Sequence, residues 1–545
     1  MHDVIVVGSG ATGGWVAKEL SERGLRTLVL EAGRPAPPAP DSLPDERHPI
    51  QQRCRAFNQF TRPYFVDDRE QPYTTAPDAP FAWIRTDVVG GRLTLWGGQV
   101  YRLSDADFHA ASRDGHGVDW PLSYRELAPY YDQVERFLGV CGSCDGLPHL
   151  PDGIFQPVPP LDSAIERRLR AASAEMGTAL IAGRVTQRPA NASGQPCPHC
   201  GRVDQGCHRY TTNAESTMAS ALATGLVDLR SGVLVDQVLL GPDGRASGVR
   251  VIDKQTRERS VLRGRLVFLC ASALESTRIM LNSRSERHPQ GLGARSGALG
   301  RFLTVHLYGV AVVGQVRVPH QDEAGPLKRT RLLYMPRWQN QGWPSHPAFP
   351  RGYSLLVVVT PLDQAVPNPP GCFNPPVAAR GGPATAGRYL VGLHPFGETL
   401  PRHDNYVELD PSGACDAWGM PVLRIHYRYS DTDHAMAADM VAAGTRLIRL
   451  AGGSVLRVQG HLSDPGLCIH EAGTCRMGAD PATSVLDAYN QCHDVPGLFV
   501  VDGGAFPSLP AQNPTLTMMA LAARASDYAH RQLVSGASAK PTERV

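Results

Sequence analysis

The stretch Val4-Ile5-Val6-Val7-Gly8-Ser9-Gly10-Ala11-Thr12-Gly13 decides the fold of this chain. Residues 3–7 form a short apolar run rich in β-branched side chains, which suit a strand. Three glycines follow in the spacing Gly-x-Gly-x-x-Gly, then a helical stretch to about Arg23, a second strand over 27–30, and Glu31. This is a βαβ opening with an acidic residue 18 positions after the third glycine, the pattern of a dinucleotide site. The glycines allow a tight turn and bring backbone N–H groups close to a pyrophosphate, whose charge a helix N-terminus favours. Glu31 stands where an adenosine ribose would donate its hydroxyls.

Composition narrows the class. The 545 residues suffice for two to four packed units. With 54 Lys+Arg against 52 Asp+Glu, the net charge of +2 lacks the basic excess of a nucleic-acid binder. Although 42% of residues are hydrophobic, runs such as 355–359 fall far short of the roughly 18 residues of a membrane span. The amino terminus shows no basic stretch leading into a cleavable apolar segment, and twelve cysteines are too few for a disulfide scaffold, so a cytoplasmic location is expected.

Beyond the opening unit, residues 34–80 are rich in proline and polar residues and read as an excursion. A glycine-flanked aromatic segment, Trp96-Gly97-Gly98, suits close passage along a planar ligand. Helices are expected over 122–138 and 162–177, and a strand, a turn at Gly241-Pro242-Asp243-Gly244 and a second strand over 227–251. A buried strand over 266–270 leads into a helix over 273–281. From about 302 to 460 the pattern turns to strands (355–360, 389–393, 406–409, 422–427) and a helix near 432–451, which fits a largely antiparallel second domain.

By its carboxyl-terminal segment the sequence resembles the glucose–methanol–choline (GMC) family of flavin-dependent oxidoreductases, over nearly the whole chain. The motifs that carry the resemblance are Val6 to Gly14 with Leu30-Glu31-Ala32-Gly33; Gly90-Gly91 with Trp96-Gly97-Gly98 and Arg102; Ala273-Leu274-Glu275-Ser276; His470-Glu471-Ala472-Gly473-Thr474 with Met477-Gly478; and Val501-Asp502 through Asn513-Pro514-Thr515-Leu516-Thr517. Their style is similar to the branch of pyranose oxidases, sugar dehydrogenases and aminosugar 6'-dehydrogenases.

The resemblance implies an α/β fold: a Rossmann-type FAD-binding domain with an inserted, largely antiparallel α+β substrate-binding domain. The FAD domain is expected to be discontinuous over 1–34, 85–110, 205–304 and 462–535. Excursions fill 35–84 and 111–204, the substrate domain 305–461, and a tail 536–545. FAD contacts are implied at Gly8, Gly10, Ala11, Thr12, Gly13, Glu31, Ala32, Gly91, Trp96, Gly97, Gly98, Val235, Asp502, Asn513, Pro514 and Thr515. Some pyranose oxidases attach flavin through a histidine just before the tryptophan; here Leu95 stands there, so FAD is expected to be non-covalent.

The implied reaction oxidises a primary or secondary alcohol on a sugar-type compound, with oxygen or another acceptor receiving the electrons. The hydride goes to flavin N5 and the hydroxyl proton needs a base, for which a neutral imidazole is suited near physiological pH. The family pairs a histidine in a His-x-x-Gly-Thr motif with a His or Asn before the last helix, positions held here by His470 and Asn513. By residue pattern alone, Asn513 also reads as an N-cap and Pro514 as the first helical residue. A lyase or a catalytically silent flavoprotein on the same fold are the rival classes. No metal is expected, although Cys197, Cys200 and Cys207, with Cys141 and Cys144 elsewhere, leave structural thiols, zinc and iron–sulfur open by spacing.

Overall fold

The computed structural model describes residues 2–35, 64–94, 96–186, 216–318, 331–341, 345–362 and 387–538. Its first sheet has seven strands. Val227–Ser231, Thr27–Glu31, His2–Val7 and the second half of Arg259–Leu269 lie parallel side by side, and Leu498–Val500 adds a fifth parallel strand. The central strands are buried along nearly their whole length, as a parallel sheet covered on both faces requires. The first helix (Ala11–Glu22) packs against the last (Thr515–Ser538), so the two ends of the chain share one core.

The strand Arg259–Leu269 changes partners along its length. Its first half pairs antiparallel with Ala246–Asp253, which pairs with Val233–Leu240; its second half, from Gly264, joins the parallel sheet. The expected strand–turn–strand over 227–251 is therefore three strands. Gly232, at φ +72°, breaks the first run, sending Val227–Ser231 to the parallel sheet and Val233–Leu240 to the antiparallel pair. The turn itself closes as expected, with Gly244 donating its N–H to the Gly241 carbonyl at 3.0 Å.

The second sheet is antiparallel: Ser454–Gln459, Ala311–Arg317, Arg388–Glu398, Tyr353–Pro361, Arg331–Met335 and, from far upstream, Ile181–Ala182. The helix Asp431–Leu450 covers it, with Ala164–Glu175 beside that helix. Both start at serine caps whose hydroxyls accept an N–H while an acidic side chain three residues on returns the bond, Ser430 with Asp433 and Ser163 with Glu166. Tyr406–Leu409 and Leu423–His426 do not join this sheet. They form a separate small one with Thr74–Thr75.

Thr304–Leu307 is a further strand of the second, antiparallel sheet. His306 pairs with Glu398 of the antiparallel sheet, while Val305 pairs with Glu471 of the short strand Glu471–Ala472. This register brings His306 beside the His470 segment.

Candidate active site

At the carboxyl ends of the parallel strands lies a cleft with a cavity volume of about 240 Å³. Its walls include Gly8, Gly10, Ala11, Thr12, Glu31, Ala32, Gly91, Trp96, Val235, Asp502, Pro514 and Thr515, together with His470. Residues spread over five hundred positions of sequence thus meet in one place. Gly13, Gly97, Gly98 and Asn513 do not line it.

The glycines of the opening turn do separate jobs. Gly8 takes φ +97°, and a Cβ there would stand 2.5 Å from the Cys270 carbonyl oxygen. A Cβ on Gly13 would stand 1.8 Å from the Gly8 carbonyl oxygen, so this glycine lets helix and strand meet. At Gly10 the nearest atom of the described residues to such a Cβ is 4.0 Å away, which leaves space on that side of the turn.

Glu31 holds this turn in place. Its Oε2 accepts from the Ser9 N–H at 2.8 Å and the Ser9 hydroxyl at 2.6 Å, and its Oε1 accepts from the Gly33 N–H at 2.7 Å. A carboxylate offers about four acceptor sites, which leaves room for a ribose hydroxyl. The Gly90 N–H in turn donates to the Ser9 hydroxyl at 2.9 Å, tying the Gly90-Gly91 loop to the first turn.

The opposite wall is built from late segments. Ile469 adopts φ +61°, rare for a β-branched residue, and directs its carbonyl to the Arg92 guanidinium at 2.9 Å. Gly473 and Thr474 also turn through positive φ, at +82° and +73°. Arg92 pairs with Glu471 at 2.6 Å, where the Glu471 side chain is fully buried and its other oxygen has no hydrogen-bond partner among the described residues. Asp502, also buried, accepts from Ser276 and the Gly504 N–H, and burial pushes its carboxyl up to about 6. His470 is half-buried, with its Nδ1 2.9 Å from His306 Nδ1 and 3.4 Å from Cys468 Sγ.

Half-buried Asn513 precedes Pro514, whose carbonyl accepts from the Met518 N–H at 3.0 Å as the last helix begins at Thr515. Pro514 rather than Asn513 therefore holds the cap position, since its carbonyl closes the first helical bond. Arg92, Glu471 and His306 were not assigned from sequence. Glu471 sits inside a quoted motif and Arg92 directly follows Gly90-Gly91, but their pairing spans 379 positions; no local pattern marks His306.

Cys197, Cys200, Cys207 and Leu95 lie outside the described residues. Cys144 is exposed and Cys141 partly buried.

GMC oxidoreductase family models match residues 2–308 and 401–522. The chain belongs to the GMC oxidoreductase family. Among relatives of this GMC oxidoreductase, a 2-methyl-1,2-propanediol dehydrogenase of Mycolicibacterium austroafricanum is 30% identical, the match covering 97% of this chain and 95% of the relative. A paromamine 6'-oxidase of Streptomyces fradiae is 28% identical over 98% and 92% of the two chains. The fold is similar to that of a solved pyridoxine 4-oxidase from Mesorbium loti, with a TM-score of 0.62 at 19% identity, covering 97% and 99%. Family members are FAD-dependent flavoproteins. The cleft of this GMC oxidoreductase fits that cofactor: Gly8 and Gly10, with room for a ligand at Gly10, line it, as does Glu471, whose Oε1 has no hydrogen-bond partner among the described residues. No helix among the described residues is long and apolar enough to cross a membrane.

Proposed function

We propose that the chain oxidises a primary or secondary alcohol on a sugar or sugar-containing compound to the carbonyl. Bound FAD supplies the hydride acceptor. In this reading Gly8, Gly10 and the N-terminus of the first helix hold the pyrophosphate, Glu31 the ribose, and the segment from Pro514 to Met518 faces the flavin. His470 takes the hydroxyl proton, and Asn513 holds the alcohol oxygen with its amide.

The single observation that carries the reading is the position of His470, which lines the same cleft as the glycine turn and the start of the last helix. The relatives support the substrate class, since they include a paromamine 6'-oxidase, a C-glycoside 3-oxidase and a diol dehydrogenase. The test is anaerobic mixing of the FAD-loaded protein with sugars, aminoglycosides and small diols. Bleaching of the oxidised-flavin absorbance by one of the sugars or aminoglycosides is the expected result; reduction by simple diols alone would overturn the sugar assignment, and no reduction by any alcohol would favour a lyase or silent flavoprotein. Oxygen admitted afterwards reoxidises the flavin quickly in an oxidase and slowly in a dehydrogenase.

A further inference from the structure

His306, Cys468 and His470 place three potential ligand atoms within 4.8 Å of one another. Two imidazole nitrogens bound to one tetrahedral zinc at about 2.0–2.1 Å would stand roughly 3.3 Å apart. The two Nδ1 atoms are 2.9 Å apart, a hydrogen-bond distance, so a proton rather than a metal lies between them.

Which nitrogen carries that proton follows from the next bond along. His306 Nε2 lies 2.7 Å from the Pro510 carbonyl oxygen, and a carbonyl can only accept. His306 Nε2 therefore bears hydrogen. The ring is fully enclosed, and burial lowers its pKa to about 4, so it holds a single proton and its Nδ1 is a bare lone pair. His470 Nδ1 must then be the donor. Its own Nε2 is left unprotonated.

We infer that His306 is a positioning residue: anchored by the Pro510 carbonyl, it fixes His470 in the tautomer whose unprotonated Nε2 can take the hydroxyl proton. This rests on the reading of His470 as the base. When the substrate O–H bond breaks, its proton goes to Nε2, and His470 becomes an imidazolium whose Nδ1–H still points at a neutral acceptor. The Glu471 carboxylate is paired with Arg92, and Phe396 lies beside both imidazoles with ring centroids 6.1–6.2 Å away. Cys468, with Nδ1–H already directed at His306, shares that hydrogen at most as a second acceptor. The pair also joins distant segments, because His306 belongs to a strand of the antiparallel sheet and Pro510 to the approach to the last helix.

The first test reads the tautomer directly. In FAD-loaded protein with 15N-labelled histidines, assigned by comparison with His470→Ala, His470 should show a protonated Nδ1 and a bare Nε2; the reverse would overturn the inference. The second uses His306→Leu, which removes the acceptor, and His306→Asn, whose carboxamide oxygen can stand near the lost Nδ1. The leucine variant should slow limiting flavin reduction by about 10- to 100-fold, the worth of one hydrogen bond to a charged group, with the half-saturating substrate concentration unchanged. Asparagine should restore most of the rate. Wild-type reduction in His306→Leu, with His470→Ala slow, would overturn this inference alone; wild-type reduction in His470→Ala would overturn the base itself. Should the leucine variant fail to fold or load FAD, the wild-type tautomer decides.

Discussion

Ser276 donates its hydroxyl to Asp502 at 2.5 Å, joining the start of one helix to a buried carboxyl 226 positions later in the chain. Burial raises that carboxyl from 3.8 to about 6, so the folded state keeps its proton over a pH range in which the unfolded chain loses it. Between about pH 4 and 6 the fold binds more protons than the unfolded state, and stability falls as pH rises. The contribution lost is on the order of 3 kcal/mol. Asp502→Asn keeps an acceptor for Gly504 and a partner for Ser276 without titrating. Denaturant unfolding of both proteins from pH 4 to 7 should show the wild type losing ground to the variant as pH rises; parallel curves would contradict this.

Glycine substitutions should separate folding from cofactor binding. Gly13→Ala forces a methyl group into the Gly8 backbone and should abolish soluble expression or cost several kcal/mol, roughly the upper range of single-site effects. Gly10→Ala meets open space in the protein and should fold normally while losing FAD, because its methyl group enters the pyrophosphate site. The flavin-to-protein absorbance ratio and the melting temperature distinguish the two.

Removing the Arg92 side chain strands the Glu471 carboxylate, whose side chain is fully buried. Arg92→Ala should therefore destabilise the protein by roughly 3–5 kcal/mol. Adding Glu471→Gln, which removes the unpaired charge, should recover part of that loss in urea titrations. Equal stability of the single and double variants would show the charge to be unimportant.

His470→Ala should retain FAD yet reduce it at least two orders of magnitude more slowly, in line with loss of a general base. Asn513→Ala should lose less. Stopped-flow absorbance under anaerobic conditions measures both.

FAD should leave the protein on acid precipitation, since Leu95 offers no atom for a covalent bond to the flavin. A yellow pellet and a colourless supernatant would refute this.

The dinucleotide fold was legible because its information is local. Strand, glycine spacing, helix and Glu31 fall within thirty residues, and the structure sets them in one βαβ unit. The cleft was legible only in pieces: the motifs named its walls, but nothing in sequence reports that Arg92 reaches Glu471 or that His306 reaches His470 across 164 positions. Such pairs depend on the register between Thr304–Leu307 and Glu471–Ala472, a tertiary fact. The break at Gly232 was missed for another reason. Strand pattern marks extended backbone, not which neighbour each half of it will choose.

The parallel sheet and its cleft draw on both ends of the chain: the first turn supplies one wall, while Leu498–Val500, Asp502 and Met518 supply another. On the ribosome, the glycine turn is made first and then waits for almost the entire remaining polypeptide before its counterpart emerges. Flavin capture therefore has to await the segment beyond residue 498, and a truncated nascent chain lacking residues beyond 500 carries a complete nucleotide fingerprint facing an unfinished cleft.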